Sequence, residues 1–125
     1  MQEDPQTEST VEVIKRFNEA FNRHDVQAVM DLMTDDCIFE DTYPPPDGER
    51  FEGHVAVRHF WEEFFHASPS AVFQSEEMFT HGDRCIVRWR FDWTTTDESR
   101  GHVRGVDVFR VRNGKVVEKL AYVKG

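Results

Sequence analysis

Cysteine is scarce in this sequence, and its placement excludes two classes of protein. Only Cys37 and Cys85 occur, far apart and in neither a metal-binding nor a redox spacing. The two residues that follow each cysteine are apolar. We therefore expect two buried thiols in a reducing compartment rather than a disulfide framework.

Long apolar runs and an excess of positive charge are also missing. No stretch approaches the length needed to span a bilayer, and the polar, acidic first residues lack the apolar core of a signal peptide. With 15 basic and 24 acidic residues, the net charge is −9. This charge argues against nucleic acid and anionic membrane surfaces as partners, and we expect a cytoplasmic protein.

The first half of the sequence contains strong helical periodicity. After a polar lead, residues 1–7, which we expect to be disordered, apolar residues recur at helical spacing over residues 10–21. Asp25 is a suitable N-cap for a second helix, which should end at residues 34–36. A third helix with an aromatic face follows Gly53 and should end at the next proline.

The period changes to two in the second half. Strands are predicted at residues 71–80, 84–94, 101–112 and 115–123, after a short strand at 37–41. Between that short strand and the third helix, loop 42–53 contains three consecutive prolines and suits a flap over an opening. Helices followed by an antiparallel meander predict one α+β domain, residues 8–125, with three helices covering one face of a curved sheet.

One carboxylate interrupts the apolar face of the third long strand. Because side chains alternate between the two faces of a strand, Asp107 lies on the same side as Gly105, Phe109 and Val111. An unpaired acid on this side is costly unless it is hydrogen-bonded or protonated. Asp107 is therefore either a satisfied structural acid or a functional one.

Three short motifs accompany this order of elements. They are Asn22-Arg23-His24-Asp25, Phe39-Glu40-Asp41 and Val106-Asp107-Val108-Phe109. With the element order, they resemble the nuclear transport factor 2-like superfamily, which includes the SnoaL-like polyketide cyclases and the steroid delta-isomerases. The resemblance covers the chain from Val11 onward. It implies a cone-shaped, cystatin-like roll whose helices and bent sheet enclose a deep, mostly apolar pocket.

The resemblance also implies roles for individual residues. In ketosteroid isomerases one Asp is the general base, while a protonated Asp and a Tyr donate hydrogen bonds to the enolate oxygen. By motif, Asp41 matches the base and Asp107 matches the protonated donor. Phe17 stands where the Tyr hydroxyl should be, and losing one such donor costs on the order of 3 kcal/mol of transition-state stabilisation. The groups that could replace the hydroxyl are those of Tyr43, Tyr122 and Trp61.

Two other kinds of site fit the sequence less well. Arg90 and Asp92 have the Arg-x-Asp spelling of limonene-epoxide-hydrolase-like members, but strand parity turns both away from the apolar face. The position of the further acid in those enzymes holds Ala121. The histidines around the third helix, His54, His59 and His66, are not spaced as metal ligands. We expect no metal and no cofactor, and an epoxide hydrolase is the weakest hypothesis.

The preferred hypothesis is an acid–base enzyme that isomerises, cyclises or dehydrates a hydrophobic small molecule through an enol or enolate. Asp41 would move the proton and Asp107 would stabilise the oxygen. The alternative is a non-catalytic ligand-binding or dimerisation module of the same fold, which Phe17 favours. Val106 and Val108 predict a homodimer through the outer face of the sheet. The residues expected to line the pocket are Phe17, Phe39, Tyr43, Trp61, Trp89, Phe91, Phe109 and Tyr122.

Overall fold

The computed structural model describes residues 4–94 and 100–125. Within these residues the chain forms three helices and six strands, in the order α1 (Pro5–Asn22), α2 (Val26–Asp31), β1 (Met33–Glu40), β2 (Arg50–Glu52), α3 (His54–Ala67), β3 (Val72–His81), β4 (Arg84–Thr94), β5 (Arg100–Arg112) and β6 (Lys115–Val123). This layout confirms the predicted α+β class. The predicted connection between β4 and β5 falls on residues 95–99, which lie outside the described residues.

The strands form one mixed sheet in the order β2-β1-β6-β5-β4-β3. Strands β3 to β6 are the predicted antiparallel meander. Its last turn is at Asn113 and Gly114, whose φ values of 52° and 76° suit a two-residue hairpin. β6 then pairs with β1 in parallel. Strand β6 therefore lies between β5, which carries Asp107, and β1, which ends just before Asp41.

Helix α1 begins at Pro5, so the predicted disordered lead is wrong from that residue on. Proline suits the first turn of a helix because its missing N–H would have no intrahelical acceptor there. Two threonines then tie α1 to the β3–β4 turn. The Gly82 amide donates to the Thr7 hydroxyl at 2.9 Å, and the Thr10 hydroxyl donates to the Gly82 carbonyl at 2.7 Å. These contacts join residues that are far apart in the chain, so no local sequence pattern predicts them.

The region after α2 differs from the prediction in two places. The Asp25 carboxylate caps α2 as predicted, accepting from the Ala28 amide at 3.0 Å. β1, however, begins at Met33 rather than Cys37, because Met33 pairs with Val116 of β6. Strand β2 also lies inside the predicted loop 42–53, where it pairs with β1. Both differences arise because pairing with a neighbouring strand overrides local propensity.

The hydrophobic core lies between the helices and one face of the sheet. Phe17 of α1, Trp61 of α3 and Phe109 of β5 are among its largest fully buried side chains. Cys37 and Cys85 are both free and buried in this core, as predicted. Across the described residues, no helix is both long enough and apolar enough to cross a membrane.

Candidate functional site

An aromatic cavity opens between α1, α3 and the inner face of the sheet, next to the end of β1. The space free of protein atoms within it is about 370 Å³, including the open solvent at its mouth. Seven of its lining residues are aromatic: Phe21, Phe39, Phe60, Trp61, Phe64, Phe73 and Trp89. The remaining lining residues are Asp41, Thr42, Asp107, Lys119 and Ala121. The cavity therefore combines a large apolar wall with two carboxylates and one amine, which is the composition of a small-molecule site.

Asp107 projects from β5 into this cavity and forms a buried ion pair. Its Oδ2 atom lies 3.4 Å from Nζ of Lys119, and the two side chains are only 10% and 9% exposed. Burial raises the pKa of the Asp107 carboxyl, while the Lys119 ammonium and the Trp89 indole oppose that rise. The Trp89 N–H nevertheless makes no hydrogen bond with it, and Oδ1 of Asp107 has no partner among the described residues.

Lys119 is the charged residue of the cavity that the sequence-based predictions missed. Its Nζ atom lies among four aromatic rings, with centroids at 5.0 Å (Phe39), 5.4 Å (Trp61), 5.5 Å (Phe21) and 5.9 Å (Phe109). Such rings attract a cation through their negative faces. A lysine in the last strand is usually a surface residue. The available signal was parity, since Lys119 shares the inner face of β6 with Ala121.

Asp41 directly follows β1 at the wall of the same cavity. The Thr42 amide donates to its Oδ1 atom at 2.8 Å. Burial raises the pKa of the Asp41 carboxyl, and the Thr42 amide and the Lys119 ammonium partly oppose the effect. Its backbone amide donates to the Glu49 carbonyl at 2.9 Å, which closes the proline loop. A Cβ atom at Gly48 would collide with the Asp41 carbonyl oxygen, so this loop closure requires glycine.

The fold and the aromatic cavity agree with the protein family that the chain matches. The chain matches the SnoaL-like domain family over residues 14–119. It belongs to that family. The resemblance to the nuclear transport factor 2-like superfamily that the motifs indicated is thereby confirmed.

Solved structures show how widely this SnoaL-like fold is shared. An NTF2-like protein of unknown function from Mesorhizobium loti is 39% identical, with a TM-score of 0.84 over 99% of this chain and 98% of that one. A provisionally named SnoaL-like polyketide cyclase from Jannaschia sp. CCS1 is 18% identical, with a TM-score of 0.82 over 99% and 91%. A provisionally named ketosteroid isomerase from Kribbella flavida is 18% identical, with a TM-score of 0.77 over 95% and 80%. No protein with a curated description matches the chain.

Three residues predicted to line the SnoaL-like pocket lie on its wall, and two lie deeper. Phe39, Trp61 and Trp89 line the aromatic cavity. Phe17 and Phe109 are fully buried in the core, where their rings meet edge to face at 5.5 Å. Phe91 stacks on the cavity residue Phe73 with a centroid distance of 4.6 Å and so supports the wall from behind.

Neither tyrosine lies where the SnoaL-like pocket would need a hydroxyl. Tyr43 is 73% exposed on the proline loop. Tyr122 is 53% exposed and lies next along β6 to Ala121, which lines the cavity. Neither tyrosine is among the residues that line the aromatic cavity. Of the suggested replacements for the hydroxyl, only the Trp61 indole lies at the cavity.

The structure also locates the residues on which the two weaker hypotheses, an epoxide hydrolase and a metal site, depend. Arg90 and Asp92 pair with each other at 2.9 Å on the outer face, away from the cavity, as strand parity predicts. His54 contacts the Met30 carbonyl oxygen at 3.0 Å, which is a structural contact. Over residues 4–94 and 100–125, His, Cys, Asp and Glu side chains form no group of three that could hold a metal ion.

Proposed function

We propose that this protein is an acid–base enzyme that isomerises, cyclises or dehydrates a hydrophobic carbonyl compound through an enol or enolate. One observation supports this above all. A base-competent carboxylate, Asp41, and a buried ammonium, Lys119, line one aromatic cavity. The aromatic wall would bind the apolar body of the substrate, and the polar groups would act at its carbonyl.

The proposed chemistry uses side chains of this chain alone. Asp41 takes the proton from the carbon next to the carbonyl, the C–H electron pair forms a C=C bond, and the carbonyl π electrons move to the oxygen. The Lys119 ammonium stabilises that developing negative charge. In an isomerisation, the oxygen electrons then re-form the C=O bond and Asp41 returns the proton to another carbon of the conjugated enolate. Asp107 is the second donor to the oxygen when its carboxyl is protonated, a form that burial favours by raising its pKa.

Lys119 supplies the donor that Phe17 cannot. Phe17 is fully buried and has no hydroxyl, whereas Lys119 carries both charge and hydrogen-bond donors to the cavity wall. One preorganised donor contributes on the order of 3 kcal/mol to a transition state of this kind. In this proposal the Lys119 ammonium replaces the hydrogen-bond donor that the missing tyrosine would supply.

Deuterium exchange at the α-carbon of bound ketones tests the proposal without a known substrate. The probes are 2-tetralone, a steroid 3-ketone and a cyclic 1,3-diketone, followed by NMR in D₂O. We expect the wild type to catalyse exchange for the ketones that bind, and Asp41→Asn to lower the rate about 10²- to 10⁴-fold. The matched control is Asp47→Asn, which removes an exposed carboxylate from the same loop and should leave the rate unchanged. Binding without exchange above the buffer rate would overturn the enzyme proposal.

A non-catalytic ligand-binding module is the second proposal. It is favoured by the Asp107–Lys119 pair itself, because a buried carboxylate and amine that satisfy each other could serve the fold alone. The exchange experiment separates the two proposals, since a binding module would hold a hydrophobic ketone without moving its α-proton.

We further propose that the protein is a homodimer through the outer face of the sheet. Phe79, Ile86, Val108 and Leu120 lie opposite one another on four successive strands. Phe79 is 53% exposed at one end of this row. A continuous apolar row on an outer sheet face is typical of a subunit contact.

A further inference from the structure

A second cavity reaches the Asp107–Lys119 pair from between α1 and β3. The space free of protein atoms within it is about 340 Å³, including the open solvent at its mouth. Five lining residues belong to both cavities: Phe21, Phe73, Trp89, Asp107 and Lys119. The other lining residues are Asn18, Asn22, Ser75 and Val87. The ion pair is therefore shared by two cavities with different surroundings.

The residues that belong only to the second cavity are mostly polar. Asn22 holds α1 to β3, since its amide donates to the Phe73 carbonyl at 2.9 Å and accepts from the Phe73 amide at 3.0 Å. Asn18 and Ser75 lie nearer the surface, and their contact of 3.5 Å is long for a hydrogen bond. Both therefore keep most of their capacity to bind water. Strand β3 has an irregular register directly after Ser75, and such bulges redirect side chains.

Two buried polar atoms at the inner end of this cavity lack partners. They are Oδ1 of Asp107 and Nε1 of Trp89, and neither has a hydrogen bond within the described residues. An ordered water needs a polar site and two to four polar partners. The Asp107 acceptor and the Trp89 donor lie inside the cavity, and the Asn18 amide and the Ser75 hydroxyl lie nearer the surface. Together these four groups supply the partners that ordered water needs.

We propose that the second cavity is a water-filled side channel that connects Asp107 and Lys119 with solvent while the aromatic cavity holds a ligand. A hydrophobic ligand on the aromatic wall covers Asp107 and Lys119 from the Asp41 side. Water in the side channel would still exchange protons with Oδ1 of Asp107, so the protonation of the pair would stay in equilibrium with solvent while a ligand is bound. The use of this equilibrium in catalysis rests on the proposed function, whereas the channel itself does not.

Hydrogen exchange of the Trp89 indole N–H with water tests the channel directly. This proton is buried at the junction of the cavities, and its NMR signal is assigned by its loss in Trp89→Phe. Ala121→Phe closes the aromatic cavity, because Ala121 lines that cavity and not the channel. Asn18→Leu closes the channel and retains a good helix former. Glu19→Leu, an exposed neighbour on α1, is the matched control.

We expect the indole to exchange at nearly the wild-type rate in Ala121→Phe, and about tenfold more slowly when Asn18→Leu is added. Adding Glu19→Leu instead should leave the rate unchanged. Should Ala121→Phe fail to fold, saturation of the aromatic cavity with 2-naphthol replaces it. Exchange that stops in Ala121→Phe alone, or that Asn18→Leu does not slow, would overturn the channel. Because no turnover is measured, loss of the enzyme proposal would leave this result intact.

Discussion

Nζ of Lys119 lies 3.4 Å from Oδ2 of Asp107, although the two residues do not face each other in the sheet. Asp107 lies opposite Ala121, and Lys119 lies opposite Phe109, so the ion pair is diagonal across β5 and β6. A long side chain can span this diagonal on one face of a sheet. The small side chain of Ala121 faces the same cavity and lines it beside the pair.

Removing one partner of this pair should destabilise the protein strongly. Where Asp107 is ionised, Lys119→Met leaves its carboxylate buried without a counter-charge, and we expect a loss of about 3–5 kcal/mol in the free energy of unfolding. The double variant Lys119→Met/Asp107→Leu should be more stable than Lys119→Met, because no buried charge remains. Urea denaturation measures all three proteins.

The exposed pair Arg90–Asp92 is the control for this experiment. It is shorter, at 2.9 Å, but lies on the outer face, so Asp92→Ala should cost far less stability than Lys119→Met. Equal losses for Lys119→Met and Asp92→Ala would show that burial does not strengthen the Asp107–Lys119 pair.

The raised pKa of Asp41 predicts a specific pH dependence of stability. Burial raises this pKa above its ordinary value of 3.8, so the folded protein binds the proton more tightly than the unfolded chain does. The stabilisation is complete below the ordinary value and is lost as the pH rises through the folded-state pKa. Relative to Asp41→Asn, the wild type should therefore lose stability as the pH rises from about 4 towards neutrality.

Thermal unfolding of both proteins across that pH range measures the difference. The pKa of Asp107 is also raised. Because Asp107 is present in both proteins, its contribution to the pH dependence of stability cancels in the comparison. Asp47→Asn should follow the wild type at every pH, since Asp47 is exposed. A constant difference between wild type and Asp41→Asn would contradict the raised pKa.

Restoring the tyrosine of ketosteroid isomerases should not restore a hydroxyl to the cavity. Phe17 is fully buried against Phe109, so Phe17→Tyr places a hydroxyl in the core without a partner. We expect a loss of about 1–3 kcal/mol in stability and no gain in ketone exchange. Faster exchange by a stable Phe17→Tyr protein would show that residue 17 reaches the substrate after all.

Val108→Glu tests the proposed dimer. Val108 lies in the centre of the apolar row on the outer face, where two carboxylates would face each other across a two-fold contact. We expect sedimentation to show monomers for this variant and dimers for the wild type. Val55→Glu, at an exposed position on α3, should remain dimeric. An unchanged mass for Val108→Glu would refute the contact.

The parts of the fold that depend on nearby residues could be predicted from the sequence, and those that depend on distant pairing could not. The Asp25 cap, the Asn113–Gly114 turn and the inward direction of Asp107 follow from local chemistry and from strand parity. The start of β1 at Met33 depends on Val116, far away in the chain, and the existence of β2 depends on its pairing with β1 across the proline loop. Lys119 was missed for the same reason, because its burial depends on β6 entering the sheet between β1 and β5.

The parallel pairing of β1 with β6 has a consequence for how the protein folds. Ile38 of β1 pairs with Glu118 of β6, about 80 positions later, so this contact closes the longest loop in the sheet, and such non-local pairing forms slowly. The β3–β6 meander can form earlier from neighbouring segments. A chain at that stage would hold the Asp107–Lys119 pair but neither Asp41 nor the aromatic side chains of β1 and α3. The site would therefore be assembled in the last step of folding.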